Sequence, residues 1–174
     1  MERYALEVGW EWGGAQTPAA ARPQVELVRG PVEVIIRFDA PFHGDPAPDA
    51  PRGPLDGLWN FEVVELFVAY GPDQYIECEL GPHGHWVSLA FDGVRNAVAC
   101  PLPLRAWAKI EGHRWWGELR LPAAAVPPPR ALNACAIHGG AEARRYCSTV
   151  ALPGKTPEFH QPQHFADAAS VRQC

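Results

Sequence analysis

Sixteen glycines and 19 prolines punctuate these 174 residues, and they fall between short apolar runs along most of the chain. Proline removes a backbone donor and clashes with the preceding helical turn, and glycine is costly inside a helix, so long helices are excluded. With 47% hydrophobic and 20% charged residues the chain is globular rather than disordered. Its length suits one domain. The remaining solution is many short strands joined by tight turns.

Apolar residues recur with a period of two, which is the strand signature. The runs are residues 4–10, 25–28, 32–38, 61–68, 74–80, 86–91, 105–110, 115–121, 132–138 and 145–150. Gly30-Pro31, Gly71-Pro72-Asp73 and Glu111-Gly112-His113 read as the turns of three hairpins. The pattern predicts an all-β fold: a two-layer antiparallel β-sandwich of the jelly-roll type with minimal helix, one domain over residues 1–174. Two segments stand apart. Residues 39–57 form a Pro-rich loop, with Pro41, Pro46, Pro48, Pro51 and Pro54 inside it, and residues 153–174 read as an irregular tail. A loop this long in a small domain is either functional or a surface excursion, and its place ahead of the best strand makes it a candidate lid.

The net charge is −5, and Arg144-Arg145 is the single adjacent pair of basic residues. Phosphate recognition needs concentrated cation, so no nucleic-acid partner is expected. No run approaches the roughly 20 apolar residues of a membrane span, and residues 1–10 do not resemble a signal peptide. Five cysteines without a CxxC pair suit reduced thiols in a cytoplasmic protein. His83-Gly84-His85, and His160 with His164 across Pro162, lack a regular metal-binding frame. No metal and no cofactor are therefore expected. GxSxG, GxxxxGK[ST], HExxH and GxGxxG are all missing, and with them the common nucleophile and nucleotide sites.

Alternation assigns Phe61, Val63, Glu65 and Phe67 to one face of a strand and Glu62, Val64, Leu66 and Val68 to the other. Both faces are largely apolar, so the strand is covered on both sides. Glu65 then needs a cation, several donors or a raised pKa, with Arg37, Arg95, Tyr75 and His138 as candidate partners. A structural ion pair is the plain alternative to a functional role. In the next strand Tyr75, Glu77 and Glu79 share a face. If that face is also Glu65's, three carboxylates and a phenol line one surface, as in glycosidases, calcium sites and sugar-hydroxyl contacts alike. Trp59, beside the long loop, and Trp86, after the Gly-His turn, are the candidates for stacking on a sugar ring.

The segment Leu58-Trp59-Asn60-Phe61-Glu62-Val63-Val64-Glu65-Leu66-Phe67, followed by Tyr75-Ile76-Glu77 and Pro82-His83-Gly84, resembles an uncharacterised protein family. Its human member is named only after an open reading frame on chromosome 4. The likeness continues through Ala40-Pro41-Phe42, Arg95-Asn96, Ala136-Ile137-His138-Gly139, Tyr146-Cys147 and Pro157-Glu158-Phe159-His160, so it covers most of the chain beyond residue 40. More distantly, the W-x-x-x-x-V-E-x-F core with Y-x-E and P-x-G is similar to the DOMON-like group that includes carbohydrate-binding module family 9. That resemblance implies a sandwich with a ligand surface on its concave sheet, and by position it points to Trp59, Glu65, Tyr75, Glu77 and Arg95. The calcium loops and two-Trp sugar clamp of secreted family 9 modules are not evident in this sequence.

Together these readings predict a non-enzymatic module that binds a small polar ligand, such as a sugar, through Trp59, Glu65, Tyr75, Glu77, Trp86, Arg95 and His138. Two alternatives differ in class. One is a structural or protein-interaction subunit of a larger assembly, using the Pro-rich loop and sheet edges. The other is a hydrolase with Glu65 and Glu77 as acid and base.

Overall fold

Side-chain alternation and turn chemistry resolve into fourteen strands in the computed structural model, which describes residues 1–99, 102 and 104–173. In chain order they are β1 (Glu2–Glu7), β2 (Trp10–Glu11), β3 (Gln24–Arg29), β4 (Glu33–Pro41), β5 (Val63–Ala69), β6 (Gln74–Leu80) and β7 (Trp86–Asp92). There follow β8 (Ala97–Ala99), β9 (Arg105–Glu111), β10 (Arg114–Pro122), β11 (Ala131–His138), β12 (Arg145–Ser148), β13 (Ala166–Asp167) and β14 (Arg172–Gln173). Helical turns among the described residues are three-residue 3₁₀ pieces, such as Leu58–Asn60 and Pro162–His164. None is long and apolar enough to cross a membrane.

The strands form two antiparallel sheets. One has the order β14-β1-β3-β4-β10-β9, and the other runs β2-β12-β11-β5-β6-β7-β8 with β13 also pairing β11. Leu6, Leu27, Ile36, Trp115 and Leu119 of the first sheet pack against Leu66, Val68, Ile76, Leu80 and Leu132 of the second. This is the expected sandwich. The β9–β10 turn uses Gly112 at φ +59, the left-handed conformation that tight hairpins require. Edge strands β2 and β8 span only two and three residues, which limits unwanted pairing at the ends of the second sheet.

The second sheet has a second buried face. Val63, Phe67, Tyr75, Val87, Phe91, Cys135 and Ile137 point away from the first sheet into a separate core, closed by Leu58, Phe159 and Phe165. Every residue of β5 is therefore buried. The tail is more ordered than the sequence implies: β14 borders β1, and β13 borders β11. Its strands are too short for periodicity to register. Cys78, Cys135 and Cys147 are buried free thiols, while Cys100 and Cys174 lie outside the described residues.

Gly117 sits between Trp115 and Leu119 on β10, where a Cβ would meet the Leu80 side chain and the Trp107 carbonyl. Gly117→Ala is expected to overpack the junction of the sheets by about 1–3 kcal/mol. Thermal unfolding should then shift down by roughly 3–10 °C. An unchanged midpoint would mean that the sheets part freely at this point.

Candidate functional site

The outer face of the second sheet is apolar except for one patch. In the β5–β6 register Glu65 lies opposite Glu79, and Phe67 opposite Glu77. The three carboxylates therefore share a face, with one oxygen of each within 4.8 Å of the other two. Their relative exposures are 2% for Glu65, 4% for Glu77 and 0% for Glu79. Above Glu65 and Glu77 opens a cavity of about 620 Å³, within the range of small-molecule sites.

Besides the β7–β8 turn that carries Arg95, three segments wall this cavity. The first is the Pro-rich loop and the residues after it, through Asp45, Pro46, Trp59 and Phe61. The second is the connection around Gly139, Gly140, Arg144 and Tyr146, and the third is the tail at Pro157–His160. The walls are fixed by polar contacts to backbone. Glu62 accepts from the His43 and Asp45 amides at 2.9 and 3.2 Å, and Asp45 accepts from the Gly139 amide at 2.6 Å. Arg144 donates to the carbonyls of Trp59, Phe61 and Gly139 at 2.7, 2.9 and 3.1 Å. This one guanidinium ties the Trp59 turn to the β11–β12 connection. Trp59 remains 42% exposed at the cavity.

On the opposite wall, Arg95 makes a bidentate pair with Glu158 at 2.8 and 3.0 Å. Its backbone, held at φ +57, donates to the Tyr75 hydroxyl at 3.0 Å. Because that hydroxyl accepts from Arg95, its own hydrogen is available to His160 Nδ1, 2.7 Å away. The arrangement leaves His160 Nε2–H facing Glu77, with nitrogen and oxygen 3.8 Å apart.

Burial dominates the electrostatics. It pushes Glu77 up to about 7, with the adjacent Glu79 carboxyl opposing the rise. Burial and the Glu77 charge raise Glu65 well above the usual carboxylate range, while Arg144 opposes. Glu79 is raised by burial, then by Glu65 and Glu77. Burial lowers His160 to about 4, and Arg95 adds to the effect. All three carboxyls of the floor are thus raised, beneath an imidazole that is lowered.

Of the seven residues singled out in the sequence, Trp59, Glu65, Glu77 and Arg95 line the cavity. The other three lie outside its lining. Trp86 packs into the inter-sheet core, because its position on β7 alternates with the outward Val87. His138 lies on the other face of β11 from Ile137, stacked on His43 with ring centres 3.5 Å apart. Tyr75 is fully buried against Phe91 and supports the wall through its hydroxyl rather than lining the cavity. Glu65 pairs with none of the four expected partners: Arg37 is engaged by Glu26 and Glu118 on the other sheet. Arg144, Glu158 and His160 were missed as site residues. The Arg144-Arg145 doublet and the Pro157–His160 motif were visible signals, but neither indicates where its side chains go.

No family model matches the chain. It is 38% identical over 144 residues to the UPF0462 protein C4orf33 homolog of Danio rerio, covering 77% of this chain and 73% of that one. The human UPF0462 protein C4orf33 is 35% identical over 151 residues, with 81% and 76% covered. Among solved structures, a candidate carbohydrate-binding protein from Bacteroides uniformis superposes with a TM-score of 0.69 at 15% identity, covering 95% of this chain and 84% of that one. A family 9 carbohydrate-binding module from Caldicellulosiruptor kristjanssonii, in complex with cellotriose, gives a TM-score of 0.55 at 11% identity, with 86% and 75% covered. These structural likenesses establish the fold.

A carboxyl whose pKa is raised on folding contributes stability below its unfolded value and loses it as pH rises through the folded value. For Glu77 that window runs from 4.5 to about 7. His160 and His138, each lowered to about 4, act oppositely and lose their contribution as pH falls below 6.5 toward that value. In a chelator-containing buffer the thermal midpoint is therefore expected to fall between about pH 6 and pH 8. Glu79→Gln should raise the midpoint at the upper pH and flatten the decline. Equal midpoints and slopes for the two proteins would remove the carboxylate cluster as the cause.

Proposed function

The chain belongs to the UPF0462 family, and from that premise we propose that it is a carbohydrate-binding module, taking a sugar or similar polyhydroxylated ligand into the cavity on the outer face of the second sheet. The observation that carries this reading is the convergence of Trp59, Glu65, Glu77 and Arg95 on one cavity of about 620 Å³. A sugar ring presents an apolar C–H face and a rim of hydroxyls. The half-exposed indole suits the first, and the carboxylates and guanidinium suit the second. Glu65 Oε2 is buried without a donor, and a ligand hydroxyl would supply one. The cellotriose-bound family 9 module and the Bacteroides uniformis protein, which share the fold, support the choice of ligand class.

Binding is tested by calorimetry against a panel of mono- and oligosaccharides. Saturable binding to at least one is expected, with Trp59→Ala weakening it about tenfold or more, or ~1.4 kcal/mol. The midpoint of unfolding should barely move, because the ring is already half in solvent. Absence of saturable binding across the panel would overturn the reading. Two carboxylates side by side in the cavity also suit acid–base chemistry. Turnover of a bound sugar that Glu77→Gln abolishes, with binding retained, would make the protein a hydrolase instead.

A further inference from the structure

The cavity floor carries more buried acid than hydroxyl recognition requires. Glu65, Glu77 and Glu79 bring oxygens to a common point, within 4.8 Å of one another. Beyond that convergence, Glu65 Oε2 and both Glu79 oxygens are buried and receive no hydrogen bond from the described residues. Asn133 is a further buried polar group on the same face of the sheet. It is fully buried on β11 with Oδ1 unpartnered, and it faces the same side as Cys135, the residue paired with Glu65. Its Nδ2 donates to Cys135 Sγ at 3.3 Å, so the amide nitrogen is already in use.

Nearby cations do not meet this demand. Among the described residues no arginine, lysine or histidine makes a salt bridge to Glu65 or Glu79. Arg95 is committed to Glu158, and Arg144 to three carbonyls. Uncompensated buried carboxylate is costly. An all-oxygen set of carboxylates is the donor chemistry of hard divalent cations, whereas zinc favours imidazole and thiolate.

We propose that Glu65, Glu77 and Glu79 bind one hard divalent cation, of the calcium, manganese or magnesium class, at the base of the cavity. Glu79 lies behind the other two, which line the opening, so the positions not filled by protein face the cavity. A vicinal diol of a bound sugar would occupy them. This last step rests on the carbohydrate reading above, while the cation site does not.

The test uses the full chain, stripped with chelator and desalted, with calcium, manganese and magnesium added separately. Calorimetry should show saturable binding of at least one ion at a stoichiometry of one. The thermal midpoint should rise by roughly 5–10 °C at a hundredfold excess over the dissociation constant. Glu79→Gln keeps the cavity lining intact and should abolish both responses, and Glu65→Gln serves the same purpose if that variant does not fold. No saturable binding of any of the three ions, or an undiminished response in both variants, would overturn the proposal. Sugar titrations with and without chelator separate the two readings. Ion binding without sugar binding upholds the cation site and removes the carbohydrate function. Sugar binding unaffected by chelator removes the diol-bridging role of the ion.

Discussion

Strand β5 is buried along its whole length, and the molecule is arranged around covering its two faces. One face is covered in the ordinary way, by a second sheet bringing Ile36, Trp115 and Leu119. The other is covered by chain with little regular pairing of its own: the Pro-rich loop, the turn at Leu58–Asn60 and the tail. Irregular chain over an apolar sheet must find hydrogen bonds for its backbone. It does so point by point. Glu62 and Asp45 take up three amides, Arg144 takes three carbonyls, and His85 Nε2 lies 2.9 Å from the Ala50 carbonyl. Residues Gly53 and Leu55 complete the cover by pairing with the backbone of Trp86. The loop's prolines fit this role, since a chain with fewer unfolded conformations loses less entropy when pinned.

What the sequence discloses follows from the range of the signal. Period-two alternation is local, so the strand runs and the assignment of Glu65, Tyr75, Glu77 and Glu79 to faces were legible, and the β5–β6 register unites them as supposed. The same local rule would have placed Trp86 on the face opposite Val87, but its indole drew a ligand role by residue type. Contacts across long separations left no such trace. Arg144 meets Trp59 across 85 positions, and Glu158 meets Arg95 across 63. The tail looked irregular because its two strands have only two residues each, below any period.

The two sheets treat a buried carboxylate differently, and the contrast identifies the unusual one. Glu118 on β10 is also buried, and burial raises its pKa. Hydrogen bonds from Arg120 and Arg37, at 2.6 and 3.2 Å, outweigh that and hold it below the usual range. That is a carboxylate compensated within the fold. Glu65, Glu77 and Glu79 have no comparable guanidinium, and all three are raised. A chain that pairs one buried acid with two arginines, yet leaves three others clustered beside an open cavity, concentrates its electrostatic strain at one place. That placement sets the cluster apart from the compensated acid on the other sheet.

The cavity and the second core are also one structural unit. The tail that supplies Phe159 and Phe165 to the core supplies Glu158 and His160 to the wall, and His160 meets the same Tyr75 hydroxyl that takes the Arg95 amide. Loosening residues 157–165 would therefore open the apolar cover of β5 and release Arg95 in the same event. Conversely, a ligand that contacts the Arg95–Glu158 pair and the floor together links the tail to the sheet. Binding and local stability would then draw on the same contacts, and occupancy of the cavity would change the opening free energy of the tail.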